Sequence, residues 1–378
     1  MTAGLYVHFP FCAAKCPYCH FYSERPTAAG LRAWREGLVR EAEAAEAAET
    51  DRAPGADGLR FDTLYIGGGT PSLLAPGEVA AARGLAETRF GAAIAEFTLE
   101  ANPGGEGEGF LGGWRDAGVT RLSVGAQSFD DAVLRTLGRG HTAGEALRFC
   151  RAARRAGFDV LAVDLMTGIP GESAGSAARS VRTLLDLEPD HVSVYFLESV
   201  EGLPFEEELR RRPVDEDAAV EAFRRAADAL EAAGLRRYEV SNFARPGREC
   251  RHNLKYWRYG PFLGLGPAAG SHIGRRRWTN LPSLAAWSEA LGEGRSPRAE
   301  VVELDAAEAA REALVVGLRL VEGVDIRAIG ERFGVDLAAL HGRAIDELVA
   351  DGLVIRSGDR LRIPPDRLLV SNSILSRL

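Results

Sequence analysis

The chain has 378 residues, of which 46% are hydrophobic and 26% charged, and its net charge is −8 at pH 7. This length suits one large domain with a smaller one, and the composition is that of a globular protein. The acidic balance argues against a general nucleic-acid-binding protein, which would carry a basic surface. The sequence shows neither a signal-peptide pattern nor an apolar run of the ~18–20 residues that span a membrane, so we expect a cytoplasmic protein.

Short apolar runs alternate with longer helical patterns over the first 250 residues. The predicted strands are 5–9, 63–66, 97–100, 121–124, 160–165, 192–196 and 237–240. The predicted helices, rich in Ala, Glu, Arg and Leu, are 28–48, 77–89, 131–137, 143–156, 176–187 and 215–233. Such alternation is typical of a parallel sheet covered by helices. The sequence therefore predicts an α/β fold with a partial or full TIM-type barrel.

The pattern changes after about residue 280. Helices are predicted at 305–318, 325–333 and 336–351, followed by a short hairpin at 354–363. Three helices and a β wing resemble a winged-helix module, but the third helix has few basic residues, so we do not expect it to read DNA. We divide the chain into a barrel domain, 1–280, and a small C-terminal α+β module, 281–378.

The most unusual residues follow the ends of successive predicted strands. In a barrel of parallel strands, functional groups lie at the C-terminal ends of the strands. A cysteine-rich loop follows the first strand and the glycines of 67–69 follow the second. Glu100 ends the third strand, Gln127 follows the fourth, and Asp164 lies near the end of the fifth. This placement predicts one functional site at the mouth of the barrel.

The loop after the first strand holds Cys12, Cys16 and Cys19, three of the five cysteines, with the spacing C-x3-C-x2-C. A structural zinc site or an ordinary iron–sulfur cubane takes four protein ligands. Three thiolates leave one metal position open, which suits a [4Fe–4S] cluster that binds S-adenosylmethionine (SAM) for radical chemistry. Thiols crowded in this way also favour a reducing compartment over a disulfide framework.

Two other interpretations of these cysteines stay open. Cys16-Pro-Tyr-Cys19 also fits a thioredoxin-like redox pair, although such a pair needs no third cysteine upstream. A zinc site would need a fourth ligand, which His8 or His20 could supply.

Polar groups at the other strand ends are candidate ligand contacts. An ionised Glu100 would accept hydrogen bonds from ribose hydroxyls, although a salt bridge to an arginine explains it equally simply. Asp164 lies in a strand of buried type, where a carboxylate is costly unless it is paired. Arg139 and Gln127 supply complementary donors. The run Gly67-Gly68-Gly69 lets the backbone approach a ligand, although such runs also mark plain turns.

A second dense cluster combines His252, Asn253, Tyr256 and Trp257. A histidine beside aromatic surface is what axial binding of haem requires. The alternative is a hydrogen-bonded histidine within a packed turn.

Taken in order, these residues resemble the radical SAM superfamily, in the branch of the oxygen-independent coproporphyrinogen oxidase. The cysteine motif, the 67–71 loop, the segment 122–129 and the segment 164–170 all match, so the resemblance covers nearly the whole chain. It implies that Cys12, Cys16 and Cys19 bind a [4Fe–4S] cluster with SAM on the fourth iron. The SAM-contacting residues that it implies are Tyr6, Gly68, Gly69, Thr70, Glu100, Gln127, Arg139 and Asp164.

Two features are more similar to HemW-type haem chaperones than to the oxidase. Phe21 stands where the oxidase has a fourth cysteine, and the motif His252-Asn253-x-x-Tyr256-Trp257 matches the chaperones. One departure is His20, where that group usually has aspartate. The resemblance therefore implies a protein that binds haem and delivers it to respiratory haem proteins, with His252, Asn253, Tyr256 and Trp257 as candidate haem-binding residues.

Other functions stay open at this point. Radical SAM catalysis, of the oxidase kind or the class C methyltransferase kind, shares the cysteine motif. The number of SAM molecules, the formation of a homodimer and transient contact with a membrane-bound client are also undecided by the sequence.

Overall fold

A computed structural model describes residues 2–50, 59–105, 107–198 and 200–378. The strands of the large sheet are β1 (Ala3–Phe9), β2 (Phe61–Gly68), β3 (Glu96–Ala101), β4 (Arg121–Gln127), β5 (Val160–Thr167), β6 (His191–Phe196), β7 (Arg236–Arg237), β8 (Asn242–Ala244), β9 (Phe262–Leu265), β10 (Gly270–Ile273), β11 (Arg276–Asn280) and β12 (Arg298–Glu303). The strands of a smaller sheet are β13 (Val324–Asp325), β14 (Ile355–Ser357) and β15 (Arg360–Arg362).

The helices lie mostly between successive strands, as the alternation predicts. They are α1 (Ala28–Thr50), α2 (Pro76–Phe90), α3 (Gly107–Asp116), α4 (Asp131–Thr136), α5 (Ala143–Ala156), α6 (Ala174–Leu185), α7 (Phe205–Arg211), α8 (Glu216–Ala232), α9 (Arg251–Trp257), α10 (Leu284–Gly292), α11 (Ala306–Gly317), α12 (Ile326–Phe333), α13 (Leu337–Ala350) and α14 (Ser371–Leu375). In the part of the chain that the structure describes, no helix is long and apolar enough to cross a membrane.

Strands β1 to β6 lie side by side in sequence order and are all parallel. Strand β9 pairs in parallel with the other edge of β1, and β10 to β12 extend the sheet beyond it. Among the described strands the order runs from β12 to β7 without closing, so a partial barrel is confirmed and a closed one is not.

The predicted seventh strand, 237–240, differs from the structure. The chain there forms the short strand β7, which turns back on β8 through a hydrogen bond from the Tyr238 amide to the Asn242 carbonyl of 3.0 Å. This antiparallel hairpin ends the parallel part of the sheet at β6.

The inner and outer faces of the parallel strands differ in polarity. Because side chains alternate between the faces of a strand, every second residue points into the barrel. The inward-facing residues lining the interior include Tyr65, Thr98, Glu100, Arg121, Ser123, Asp164, His191, Ser193 and Tyr195. Their neighbours, such as Leu64, Phe97, Leu122, Val163 and Val192, are almost fully buried in the main hydrophobic cluster, which includes helix residues such as Trp34, Val79 and Phe149. The apolar core therefore lies outside the barrel wall.

Several helix ends follow local sequence signals. The Thr142 hydroxyl accepts the Glu145 amide while the Glu145 carboxylate accepts the Thr142 amide, a capping box that begins α5. Gly157 ends this helix with φ of 84°, a left-handed conformation that glycine adopts without strain.

The C-terminal residues form helices α11 to α14 and the antiparallel sheet β13–β15–β14. They have their own apolar core, which includes Leu314, Leu348 and Leu361. The predicted helices and hairpin are found within a few residues of their expected positions. The large sheet continues past residue 280 to Glu303, and the division after residue 280 stays a prediction.

Candidate functional site

The cysteine loop is anchored at both of its ends. The Cys12 amide donates to the Glu24 carbonyl at 2.9 Å, and the Glu24 amide donates to the Pro10 carbonyl at 2.8 Å. Phe11 is fully buried between these bonds. Cys12, Cys16 and Cys19 are partly exposed on the loop between these anchors. The thiols are therefore carried by a fixed frame at the C-terminal end of β1.

The glycine loop after β2 lies directly against the cysteine loop. The Gly69 amide donates to the Phe9 carbonyl at 2.7 Å, and the Thr70 amide donates to the Phe11 carbonyl at 2.8 Å. A Cβ atom at Gly69 would lie only 2.5 Å from the Phe11 carbonyl oxygen, so this close approach requires glycine. The Thr70 hydroxyl donates to Cys12 Sγ at 3.3 Å. The loops that follow β1 and β2 thus form one continuous surface at the C-terminal ends of these strands.

Two carboxyl groups lie inside the barrel near its mouth. Glu100 accepts hydrogen bonds from the Tyr65 hydroxyl at 2.7 Å and from the Gly68 amide at 3.1 Å. Burial raises the pKa of Glu100 to about 7 despite these donors. Burial likewise raises the pKa of Asp164 to about 6, while hydrogen bonds from Ser193 and Ser123 oppose the rise. Both carboxyl groups therefore titrate close to neutral pH, where the ionised fraction of each can accept hydrogen bonds.

Arg139 joins three strand ends at the mouth. Its Nη2 atom donates to Asn102 Oδ1 at 2.6 Å and to the Gly125 carbonyl at 2.8 Å. Its Nη1 atom lies 3.5 Å from both Cys16 Sγ and the Tyr18 hydroxyl. Arg139 therefore places a positive charge beside one of the three thiols of the cysteine loop.

Gln127 is held in an unusual backbone conformation, with φ of 65° at the end of β4. Its Oε1 atom is buried and has no hydrogen-bond partner. Buried acceptors without a partner are uncommon, and one at a mouth of this kind suits a ligand that donates a hydrogen bond.

Tyr6 and His8 connect the first strand to the cysteine loop. The Tyr6 hydroxyl lies 3.1 Å from His8 Nδ1, and His8 Nε2 lies 3.0 Å from the Tyr22 carbonyl oxygen. With both ring nitrogens used, His8 has no nitrogen left for zinc in this arrangement. His20, the other candidate zinc ligand, is exposed and packs against Phe21 with ring centroids 4.6 Å apart.

The described residues do not gather the three cysteines into a finished metal site. Within residues 2–50, 59–105, 107–198 and 200–378, no group of three or more Cys, His, Asp or Glu side chains is placed to hold a metal ion. The cysteine side chains would therefore have to turn towards a common point to bind a cluster.

The four haem-binding candidates lie on α9, at the opposite end of the barrel interior. His252 is 1% exposed, and its Nδ1 and Nε2 atoms lie 2.8 Å from the Thr63 and Tyr256 hydroxyl oxygens respectively. Thr63 belongs to the beginning of β2, whereas the glycine loop follows its end. Burial lowers the pKa of His252 to about 3, so the ring is neutral. The structure therefore separates this motif from the cysteine loop by the length of a strand.

The other motif residues, Asn253, Tyr256 and Trp257, lie on the same helix but are only partly buried. Asn253 lines a cavity of about 60 Å³ inside the barrel, together with Glu100 and Asp164. The Nε1 atom of Trp257 is buried without a hydrogen-bond partner.

Comparison with known proteins identifies the family. The model of the radical SAM superfamily matches residues 6–184, and that of the HemN C-terminal domain matches residues 304–366. A haem chaperone HemW from Mycobacterium tuberculosis is 35% identical over 99% of this chain and 94% of its own length. The chain belongs to the HemN/HemW branch of the radical SAM superfamily.

Other members of this branch match over comparable lengths. A mitochondrial radical S-adenosyl methionine domain-containing protein 1 from Mus musculus is 35% identical over 100% of this chain and 87% of its own length. The solved coproporphyrinogen III oxidase HemN from Escherichia coli superposes with a TM-score of 0.81, at 23% identity, over 100% of this chain and 89% of that one. This last likeness establishes the shared radical SAM fold.

The residues at the mouth fit the cofactors of the radical SAM superfamily. The donor set offers three thiols on one anchored loop, with Arg139 beside Cys16 and the Thr70 hydroxyl beside Cys12. The Glu100 and Asp164 carboxyls line one cavity, and the buried Gln127 oxygen has no partner, so these groups are acceptors that could receive hydrogen bonds from SAM. A bound [4Fe–4S] cluster would supply one electron to SAM. The residues of this chain would hold and orient the two groups.

Sequence reasoning missed the polar residues deeper in the barrel, among them Glu96, Arg121, Ser123, His191 and Ser193. A signal was present, because each alternates with apolar residues in a strand that is buried on both faces. A polar residue at every second position of such a strand indicates a polar barrel interior.

Proposed function

We propose that the chain is a cytoplasmic haem chaperone that binds haem and a SAM-liganded [4Fe–4S] cluster and passes haem to respiratory haem proteins. The observation that carries this proposal is full-length similarity to haem chaperones combined with Phe21 at the position of the oxidase's fourth cysteine. Phe21 is 55% exposed beside His20, so the loop presents an aromatic surface where the oxidase has a thiol.

The proposed cluster ligands are Cys12, Cys16 and Cys19. The proposed SAM-binding groups are Tyr6, Gly68, Gly69, Thr70, Glu100, Gln127, Arg139 and Asp164. Their support is positional, because they lie on the cysteine loop, in β1 or at the neighbouring strand ends. Hydrogen bonds join Thr70 to Cys12, Arg139 to Cys16 and Gly68 to Glu100.

Haem titration tests the chaperone proposal. The cluster is reconstituted without oxygen, haemin is added, and the Soret band is followed in the wild type and in His252→Ala. We expect saturable binding by the wild-type chain, and its absence would contradict the proposal. The His252→Ala titration shows whether the α9 motif takes part in haem binding. Ligation of haem by His252 would require one of its hydrogen bonds, to Thr63 or Tyr256, to break.

Radical SAM catalysis is a second candidate because the chain belongs to the radical SAM superfamily and carries the three cysteines of the loop and the proposed SAM-binding residues. Product analysis separates the two functions. Formation of 5′-deoxyadenosine together with protoporphyrinogen, or with a methylated product, would favour an enzyme. Haem binding without SAM consumption would favour the chaperone.

A further inference from the structure

Helix α9 contacts the predicted SAM-binding carboxylate through one aromatic side chain. The ring of His252 lies 5.2 Å from the ring of Tyr65, between centroids. The Tyr65 hydroxyl in turn donates to Glu100 Oε1 at 2.7 Å. The chain of contacts from α9 to Glu100 therefore has a single intermediate, Tyr65.

These contacts leave little room for independent movement. A Cβ atom at Gly4 would lie 2.8 Å from His252 Cε1, so the imidazole fills its space against β1. A Cβ atom at Gly67 would lie 2.8 Å from Tyr65 Cε1 and 2.9 Å from Glu100 Oε1. In an interior packed this closely, a shift of the imidazole is transmitted to the Tyr65 ring.

Two hydroxyl groups fix the imidazole itself. A neutral imidazole has one N–H and one acceptor nitrogen, so one of the Thr63 and Tyr256 hydroxyls donates to it and the other accepts. Both bonds fix the orientation of the ring that Tyr65 packs against. Asn253, the next motif residue, faces the cavity shared by Glu100 and Asp164. The motif thus faces the proposed SAM site from the end of the barrel interior opposite the cysteine loop.

We propose that His252, held by Tyr256, is a positioning residue that orients Glu100 for SAM through Tyr65. This inference rests on the SAM site of the proposed function. It assigns the His252 motif to the SAM site and removes it from direct ligation of haem. Loss of His252 would then weaken SAM binding first, while haem binding would be retained.

SAM affinity of the reconstituted protein, measured by calorimetry, tests this role. We expect His252→Ala and Tyr65→Phe each to weaken SAM binding about tenfold, the size expected for a lost hydrogen bond to a charged group. The double variant should be no more than about twofold weaker than either single variant, because both act on the same carboxylate. The matched control is Tyr259→Phe, which removes the hydroxyl that donates to the partly exposed Glu312 carboxylate outside this site, and it should leave SAM affinity unchanged.

Two further variants separate positioning from haem ligation. His252→Gln retains an amide that can bond the Tyr256 hydroxyl, so it should recover most of the SAM affinity, although glutamine does not ligate haem. Tyr256→Phe removes only one hydroxyl group. It replaces His252→Ala in the measurement of SAM affinity if His252→Ala does not fold. The inference would be overturned if the two losses of SAM affinity multiplied in the double variant. It would also be overturned if folded His252→Ala bound SAM as tightly as the wild type. Absent haem binding in the wild type would instead contradict the chaperone proposal alone.

Discussion

The Glu96 carboxylate and the Arg121 guanidinium form a buried ion pair at the floor of the barrel, with Oε2 and Nε 3.3 Å apart. Their side chains are 8% and 2% exposed. Glu96 also accepts the backbone amides of Arg251 and His252, and Arg121 donates to the carbonyls of Arg248 and Glu249. The pair therefore fastens the segment entering α9 to strands β3 and β4.

Removing Glu96 should destabilise the protein strongly. Glu96→Ala leaves a buried guanidinium and two helix amides without their acceptor, and breaking a buried pair costs about 3–5 kcal/mol. We expect this loss in the free energy of urea unfolding. The control is Glu347→Ala, which breaks an exposed pair with Arg343 and should cost less than about 0.5 kcal/mol. Equal losses in the two variants would mean that the buried pair does not anchor α9.

A methyl group at Gly69 should disturb SAM binding without unfolding the protein. The added Cβ of Gly69→Ala meets the Phe11 carbonyl oxygen at 2.5 Å and pushes the glycine loop away from the cysteine loop. We expect SAM affinity of the reconstituted protein to fall by about tenfold or more, since a displacement of about 1 Å in a binding site is enough for such losses. Gly77→Ala, where a Cβ meets nothing within 4 Å, is the matched control and should bind SAM normally.

Acid should destabilise the protein through His252. Its pKa is about 3 in the folded chain, because of burial and the nearby Lys255 with Asp62 opposing, against an ordinary value of 6.5. The contribution of the neutral His252 side chain to the free energy of unfolding is complete above pH 6.5. It is lost as the pH falls towards 3, because over this range only the unfolded chain takes up the proton. The full difference in the free energy of unfolding is on the order of 5 kcal/mol.

Unfolding free energies at several pH values between 7.5 and 4.5 check this dependence. His252→Gln should lower stability at neutral pH and also reduce its slope with pH relative to the wild type. Equal slopes in the two proteins would show that the pKa of His252 does not differ between the folded and the unfolded chain.

Each cysteine of the loop should be needed for the cluster. A single change, Cys12→Ala, Cys16→Ala or Cys19→Ala, removes one thiolate from a set that already lacks a fourth. We expect iron and acid-labile sulfide to drop to a small fraction of the wild-type content after reconstitution. Cys150→Ala, at a buried thiol inside the main hydrophobic cluster, should retain the cluster. Retention in any of the three loop variants would remove that cysteine from the ligand set.

The parallel strands and their order could be predicted from the sequence because each is a short apolar run bounded by helical patterns. The cysteine loop and the ends of β2 to β5 could be assigned to one mouth for the same reason. The position of His252 could not, because it depends on α9 returning to the beginning of β2, a long-range contact that local patterns do not encode. The open sheet edge was also undetermined, since a two-residue strand at 236–237 carries too little periodicity to be recognised.

The opposite polarity of the two faces of the barrel wall has a practical consequence. Residues that point inward, such as Glu100 and Ser193, line the cavity of the barrel interior, whereas their immediate neighbours, such as Leu99 and Val192, pack beneath the helices. Substitutions one position apart in the same strand should therefore act on different properties, ligand affinity in one case and heat tolerance in the other. A more heat-resistant variant can be selected by repacking the outer layer while the ligand-facing surface stays as it is.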